Sequence, residues 1–310
     1  MYNVLLTSIG ATGAQCYIKA LSPDNFKIIG CNASSDTPFK GRVGNFYKIP
    51  LAEDPDFLNS LYKIIENEKI DLFVPIMESE LYRVKSELGE SRAKVLGSKT
   101  EVLDTFQNKK RTYKFFKDKD IPYPELYSSD NKKFPLILKP EKGMGSVGIY
   151  ICKNDEEFDF YSKKINLEAY LIQEFIEGDE YSIDCFLDKD SNVLATIPRK
   201  RLRIKGGLCS KTKTVEDSGL ISDVRRLLST SGIVGPCNVQ AIKRDGKNHF
   251  TEVNARIGGT FIASVRAGLE FNQYVLDFME NRNSKPLERY EKDLVMTRYW
   301  EEVYENEPLS

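Results

Sequence analysis

Only one histidine, His249, stands among the 310 residues, which excludes mechanisms that need several imidazoles, such as a His-rich metal hydrolase. The six cysteines (Cys16, Cys31, Cys152, Cys185, Cys209, Cys237) lie at least 15 positions apart and form no Cys-x-x-Cys pair. A zinc knuckle or thioredoxin-like motif is thereby set aside, and a reduced, cytoplasmic protein is the expectation. No apolar run approaches the ~20 residues of a spanning helix. The opening Met1-Tyr2-Asn3-Val4-Leu5-Leu6 lacks the basic stretch of a signal peptide. Neither sign of charge is in excess, with 45 Lys+Arg against 46 Asp+Glu. Bulk attraction to nucleic acid or to an anionic membrane is excluded, so any polyanion must be met by a local cluster. What is present is 41% hydrophobic and 11% aromatic residues, enough for real cores, in a length about twice the ~150-residue domain prior.

The first hundred residues alternate strand and helix. Asn3 to Ser8, Phe26 to Cys31 and Asp71 to Ile76 read as strands, with helices over Ala14–Leu21 and from Asp54-Pro55 onward, where a cap precedes a first-turn proline. This rhythm predicts a parallel sheet covered on both faces. Ser98-Lys99-Thr100-Glu101 is a capping-box pattern opening one helix, and a second is expected from Asn108 to about Lys117. From Phe134 the character changes to short strands with glycine turns. Leu220, Val224, Leu227 and Leu228 mark a further helix, and Asp245-Gly246 between two strand-like runs is a hairpin signal.

Two segments carry chemistry. Pro135 to Gly148 holds a G-x-G-x-x-G at Gly143, Gly145 and Gly148, a weak signal alone. A strand, not a helix, is expected after it, which opposes a dinucleotide loop; no H-R-D or D-F-G motif lies downstream, which opposes a protein kinase. The remaining readings are a plain surface hairpin, or a flap whose N–H groups and Ser146 meet phosphate oxygens while Lys139 supplies charge. In Phe250 to Gly259, Glu252, Asn254 and Arg256 alternate along a strand, with Gln240 opposite across the hairpin. Glu252, Asn254 and Gln240 are hard oxygen donors suited to Mg²⁺, with Mn²⁺ as a substitute; a polar solvent face is the bland alternative. Arg199, Arg201, Arg203 and Lys205 alternate as well, predicting one basic face, with Lys211 and Lys213 beyond it. Gly10-x-x-Gly13 has Cys31-Asn32-Ala33 where a dinucleotide site needs an acid, while Glu78 in the loop 75–80 is a candidate for binding an amine.

Together the segments resemble the ATP-grasp superfamily of carboxylate–amine ligases, most closely its carbamoyl-phosphate-synthetase-like single modules. The resemblance rests on Lys109, on K-P-x-x-G-x-G-S-x-G at 139–148, on Gln173-Glu174-Phe175-Ile176-Glu177-Gly178-Asp179-Glu180, and on Glu252-x-Asn254-x-Arg256. It implies a Rossmann-like domain over 1–98, a small lobe with the flap over 99–177 and a large lobe with the metal site over 178–310. It implies that Lys109 and Lys139 contact ATP phosphates and that Glu174, Phe175 and Ile176 hold adenine, partly through backbone groups. Glu180 would take the ribose, Glu252, Asn254 and more weakly Gln240 would hold Mg²⁺, and Arg256 would stabilise the transferred phosphoryl group. The reaction implied is activation of a small-molecule carboxylate as an acyl-phosphate and its capture by an amine, with homodimerisation as a family habit and no nucleic acid or membrane as partner. A full carbamoyl-phosphate synthesis needs two phosphorylations and is not expected of one module. The alternatives are a small-molecule kinase, a module that binds nucleotide without ligase activity, and an NAD enzyme using Gly10–Gly13.

Overall fold

Three sheets succeed one another along the chain in this computed structural model, which describes residues 1–88, 91–143, 145, 147–299 and 301–304. The first comprises β1 (Tyr2–Leu6), β2 (Phe26–Asn32), β3 (Asn45–Lys48), β4 (Leu72–Val74) and β5 (Lys94–Val95), all parallel in the order β3-β2-β1-β4-β5. Helices α1 (Thr12–Ala20), α2 (Phe57–Asn67) and α3 (Glu78–Glu87) connect them. Val4 and Leu6 join one core and Leu5 the core on the opposite face. Both faces are covered, as the continuous apolar runs require. The order reverses between β1 and β4, so their C-terminal ends open a crevice.

The helix expected at Asp54-Pro55 instead begins at Phe57. Asp54 forms a turn first, its Oδ1 accepting the Asp56 N–H at 2.8 Å and its carbonyl the Phe57 N–H at 3.2 Å. The Ser98–Glu101 capping box is likewise absent. α4 (Thr100–Phe106) has no side-chain cap, because buried Ser98 Oγ accepts the Val234 N–H at 3.0 Å. A tertiary partner overrides the local pattern there. α5 (Lys109–Asp118) is capped as its sequence suggests, Asn108 Oδ1 accepting the Arg111 N–H at 3.1 Å.

Next comes a four-stranded antiparallel sheet: β6 (Leu126–Tyr127), β7 (Leu136–Pro140), β8 (Tyr150–Cys152) and, after α6 (Asp155–Ser162), β9 (Tyr170–Glu174), ordered β6-β9-β7-β8. The third sheet contains β10 (Asp179–Leu187), β11 (Val193–Lys205), β12 (Leu208–Thr214), β13 (Gly235–Arg244), β14 (Lys247–Asn254) and β15 (Val295–Thr297). Its order is β14-β13-β10-β11-β12-β15. Helix α7 (Ser218–Leu228) buries Leu220, Val224, Leu227 and Leu228, and α8 (Ile262–Arg266) and α9 (Phe271–Glu280) precede β15. Asp245 and Gly246 both have positive φ, 51° and 75°, the type I′ geometry that matches strand twist. That turn sets Ala241 opposite Phe250, and a bulge beyond it brings Glu252 opposite Gln240. A parallel α/β unit leading into two antiparallel lobes is the architecture anticipated. Among the described residues no helix is long and apolar enough to cross a membrane.

Candidate functional site

The glycine segment forms a hairpin loop between β7 and β8, which pair antiparallel. Gly143, Gly145 and Gly148 have φ of 133°, 68° and 74°, conformations that L side chains resist. At Gly148 a Cβ would also sit 3.0 Å from the Tyr170 hydroxyl. Ser146 lies outside the described residues. Lys109 opens α5 and ties the loop from below: its backbone N–H donates to the Glu141 carbonyl and its Nζ to the Gly143 carbonyl, both at 3.0 Å.

Lys139 lies on β7, opposite Leu171 of β9. Burial pushes its ammonium down to about 8; the Glu252 and Glu180 carboxylates oppose this and Lys109 adds to it. Lys139 therefore feels charges from both lobes. Glu252 belongs to β14 on the far side of the cleft, which α5 also touches, since the Tyr113 hydroxyl donates to the Thr251 carbonyl at 3.1 Å. Two distant sequence segments thus face one space.

On β13 and β14, Glu252 and Gln240 are direct cross-strand partners, beside a bulge after Gln240. Among the described residues neither side chain is taken up by a hydrogen bond or an ion pair, so their oxygens are available. Asn254 is buried, its Oδ1 3.5 Å from Arg256 Nη2. These oxygen donors fit Mg²⁺, which accepts few protein ligands when phosphate oxygens complete its shell. Among the described residues no group of three His, Cys, Asp or Glu could hold a metal alone.

Arg256 is oriented from the N-terminal unit. Its Nε lies 3.3 Å from Glu78 Oε1, at the first turn of α3. Burial raises the Glu78 carboxyl, with Arg256 and Lys109 pulling it back and Glu252 adding to the rise. Glu80, two residues on, is turned inward: its oxygens accept from Thr7 Oγ1 at 2.6 Å, Ser8 Oγ at 2.8 Å and the Met77 N–H at 3.0 Å. The crevice of the parallel sheet is thus braced by one acid and linked to Arg256 by the other.

Other expected positions are differently engaged. The Glu174 carboxylate takes Arg244 Nη2 at 2.9 Å and the Glu125 N–H at 3.2 Å. The Glu174 and Phe175 amides already donate to the Glu125 and Pro135 carbonyls, and Ile176 is buried. Glu180 pairs with Arg201, 3.1 Å between Oε2 and Nη1.

The single basic face expected over Arg199–Lys205 is not formed. Register shifts between Arg201 and Ile204 break the alternation, and Arg199 is fully buried. Its Nε donates to Asp184 Oδ2 at 2.8 Å and its Nη1 to Thr260 and Thr212 hydroxyls at 2.8 and 3.2 Å. Asn238 and Ser264 also donate to Asp184, at 2.8 and 2.6 Å. Sequence reasoning missed this network; the available signal was a lone acid within the apolar run Ile183-Asp184-Cys185-Phe186.

The family model described as an ATP-grasp domain matches residues 106–260, half of the chain. The chain is 24% identical over 289 residues to the carbamoyl phosphate synthase arginine-specific large chain of Halalkalibacterium halodurans, covering 84% of this chain and 27% of that one. It spans about a quarter of the length of such large chains. Its fold is similar to a biotin carboxylase–beta-gamma-ATP complex from Campylobacter jejuni (TM-score 0.76, 12% identity, 95% of this chain and 74% of that). It is also similar to an L-amino acid ligase from Bacillus licheniformis (TM-score 0.71, 16% identity, 90% and 75%).

Proposed function

The chain belongs to the ATP-grasp family, and we propose that it is an ADP-forming ligase that activates a small-molecule carboxylate and joins it to an amine. The observation that carries this reading is that Lys109, tied to the flap at Gly143, and Arg256, held by Glu78 at 3.3 Å, accompany the cross-strand pair of Glu252 and Gln240. In the proposed reaction a carboxylate oxygen attacks the γ-phosphorus of ATP, the bond to the β-phosphate oxygen breaks, and ADP leaves. The amine nitrogen then attacks the acyl carbon, phosphate departs and the amine gives up a proton. Lys139 and Lys109 neutralise the phosphates, and the hairpin loop covers them and excludes water. Arg256, held by Glu78, faces the charge that builds on the transferred group. Glu252, Asn254 and Gln240 would hold Mg²⁺, which supplies charge neutralisation between the phosphates. No side-chain nucleophile is required, in keeping with the single histidine.

The fold neighbour named as an amino acid ligase supports amino acids as the first acids to try. All six cysteines are free and buried, which supports a reducing, cytoplasmic setting. The boundaries 1–98, 99–177 and 178–310 are proposed as the functional units.

The test is an ADP-release screen over amino acids, sugar acids and small amines, with mass spectrometry of the products. ADP formation that needs both an acid and an amine is expected, and Glu252→Ala should lower it by about 10²-fold or more. A phosphorylated product without amine consumption would establish the kinase alternative instead. ATP binding with no ADP from any pair would leave a non-catalytic module.

A pH dependence arises from Lys139. With its ammonium titrating at about 8 in the free protein, the charge that meets ATP is present at pH 7 and mostly lost at pH 9. A bound polyanion favours the protonated form, so binding takes up a proton above pH 8. The Kd for ATP is expected to be about tenfold weaker at pH 9 than at pH 7, by calorimetry in matched salt. Lys139→Arg, whose guanidinium stays charged, should flatten the profile; a slope that persists in this variant assigns it elsewhere.

A further inference from the structure

We infer that a second small-molecule site, apart from the cleft, lies between α7 and the segment from Leu287 to Lys292, and that it takes an amino acid carrying two carboxylates. The segment has no regular structure, yet it is pinned along its length. The Leu287 N–H donates to the Leu194 carbonyl at 2.8 Å, the Tyr290 hydroxyl to the Val215 carbonyl at 2.8 Å and the Glu291 N–H to the Ala267 carbonyl at 2.7 Å. Held there, it does not close on α7, and a cavity of about 320 Å³ remains, at the small end of ligand pockets. Thr196 of β11, which lines it, is the direct partner of Cys185, and Cys185 of Cys237. Gln240, three residues past Cys237 on β13, faces the other way. The cavity is therefore behind the sheet whose opposite face carries Gln240 and Glu252.

Charges around the cavity are unevenly satisfied. Lys292 pairs with Glu216 at 2.6 Å. On α7, Arg226 is engaged by Asp223 and by the Asp120 carbonyl. Arg225, one turn past Ile221 on the face that lines the cavity, has no hydrogen-bond or ion-pair partner among the described residues, and the same holds for Glu288 and Arg289. Two guanidinium groups and one carboxylate thus border a single cavity unpaired. A guanidinium matches a carboxylate through two parallel N–H···O bonds, and Glu288 matches an ammonium. Glu288 disfavours a phosphate in the same place, and the two arginines disfavour a metal ion.

The experiment measures L-glutamate binding by calorimetry, without nucleotide, to wild type and to Arg225→Gln, Arg289→Gln, Glu288→Gln and Arg256→Gln. The first three positions are exposed, so their variants should fold, as melting curves would check. Wild type is expected to bind, and each of Arg225→Gln and Arg289→Gln to bind about tenfold more weakly, the loss of one charge-assisted contact. Glutarate, with both carboxylates and no ammonium, should bind wild type about tenfold more weakly than glutamate, and Glu288→Gln should abolish that difference. Arg256→Gln, a change in the cleft, should leave glutamate binding as it is. Absence of glutamate binding by wild type at millimolar concentration overturns the assignment. So does glutamate binding that falls in Arg256→Gln and in none of the other variants, or inorganic phosphate that binds wild type more tightly than glutamate.

Discussion

Replacing Lys139 with alanine is expected to lower ADP release by about 10²–10³-fold, the range typical of removing one preorganised charge from a reacting centre. Lys139 stands near the end of β7, just before the hairpin loop, with its backbone fixed opposite Leu171 in the ladder. Burial pushes its ammonium down to about 8, and a phosphate placed beside this half-buried group is screened less than on an open surface. A charge kept in such surroundings at a cost is offset only when an anion arrives. Alanine removes that charge without disturbing the ladder, so folding should be preserved, as a melting curve would check. Near-wild-type turnover in the folded variant would remove Lys139 from the machinery and, with it, the idea that the loop closes over a polyphosphate. Lys139→Arg should recover part of the activity, because the charge returns in a different shape.

Local signals were legible in the sequence, and long-range ones were not. Asp245-Gly246 demands a type I′ turn wherever it lies between strands, so the hairpin of β13 and β14 is written there, although Glu252 comes opposite Gln240 only through the bulge beside it. The three glycines after Lys139 likewise announce a strand-loop-strand flap, because the residues from Val147 to Cys152 are β-branched and aromatic. The cap expected at Ser98 departs from its pattern for the opposite reason. Ser98 carries a good local pattern, but Val234, 136 residues away, supplies a better-placed partner. Strict alternation from Arg199 to Lys205 ignores the irregular register near Arg203, and no spacing rule announces such an irregularity. Glu78 reads as facing the cleft, yet its partner Arg256 comes from the far lobe.

Asp184→Ala is the substitution expected to cost most stability, on the order of 3–5 kcal/mol, since it leaves the Arg199 guanidinium charged, buried and without its acid. Asp184 accepts three hydrogen bonds, from Arg199, Asn238 and Ser264, so the loss also strands an amide and a hydroxyl. Among the described residues Nη2 of Arg199 already has no partner, and the guanidinium can ill tolerate a second such nitrogen. A denaturant or thermal midpoint would read the change. Asp184→Asn should cost less, as it keeps an acceptor, and Asp184→Ala with Arg199→Met should recover much of the loss because the unpaired charge is gone. The effect should reach the site as well. Arg199 Nη1 holds Thr260, four residues past Arg256, and the Asn238 side chain packs where a Cβ on Gly258 would sit, at 3.0 Å. Freeing those groups loosens the segment that presents Arg256, so ADP release should fall in whatever fraction of Asp184→Ala remains folded. A cost below about 1 kcal/mol would mean that water or another donor set replaces the acid, and that the Arg256 segment is positioned from the Glu78 side alone.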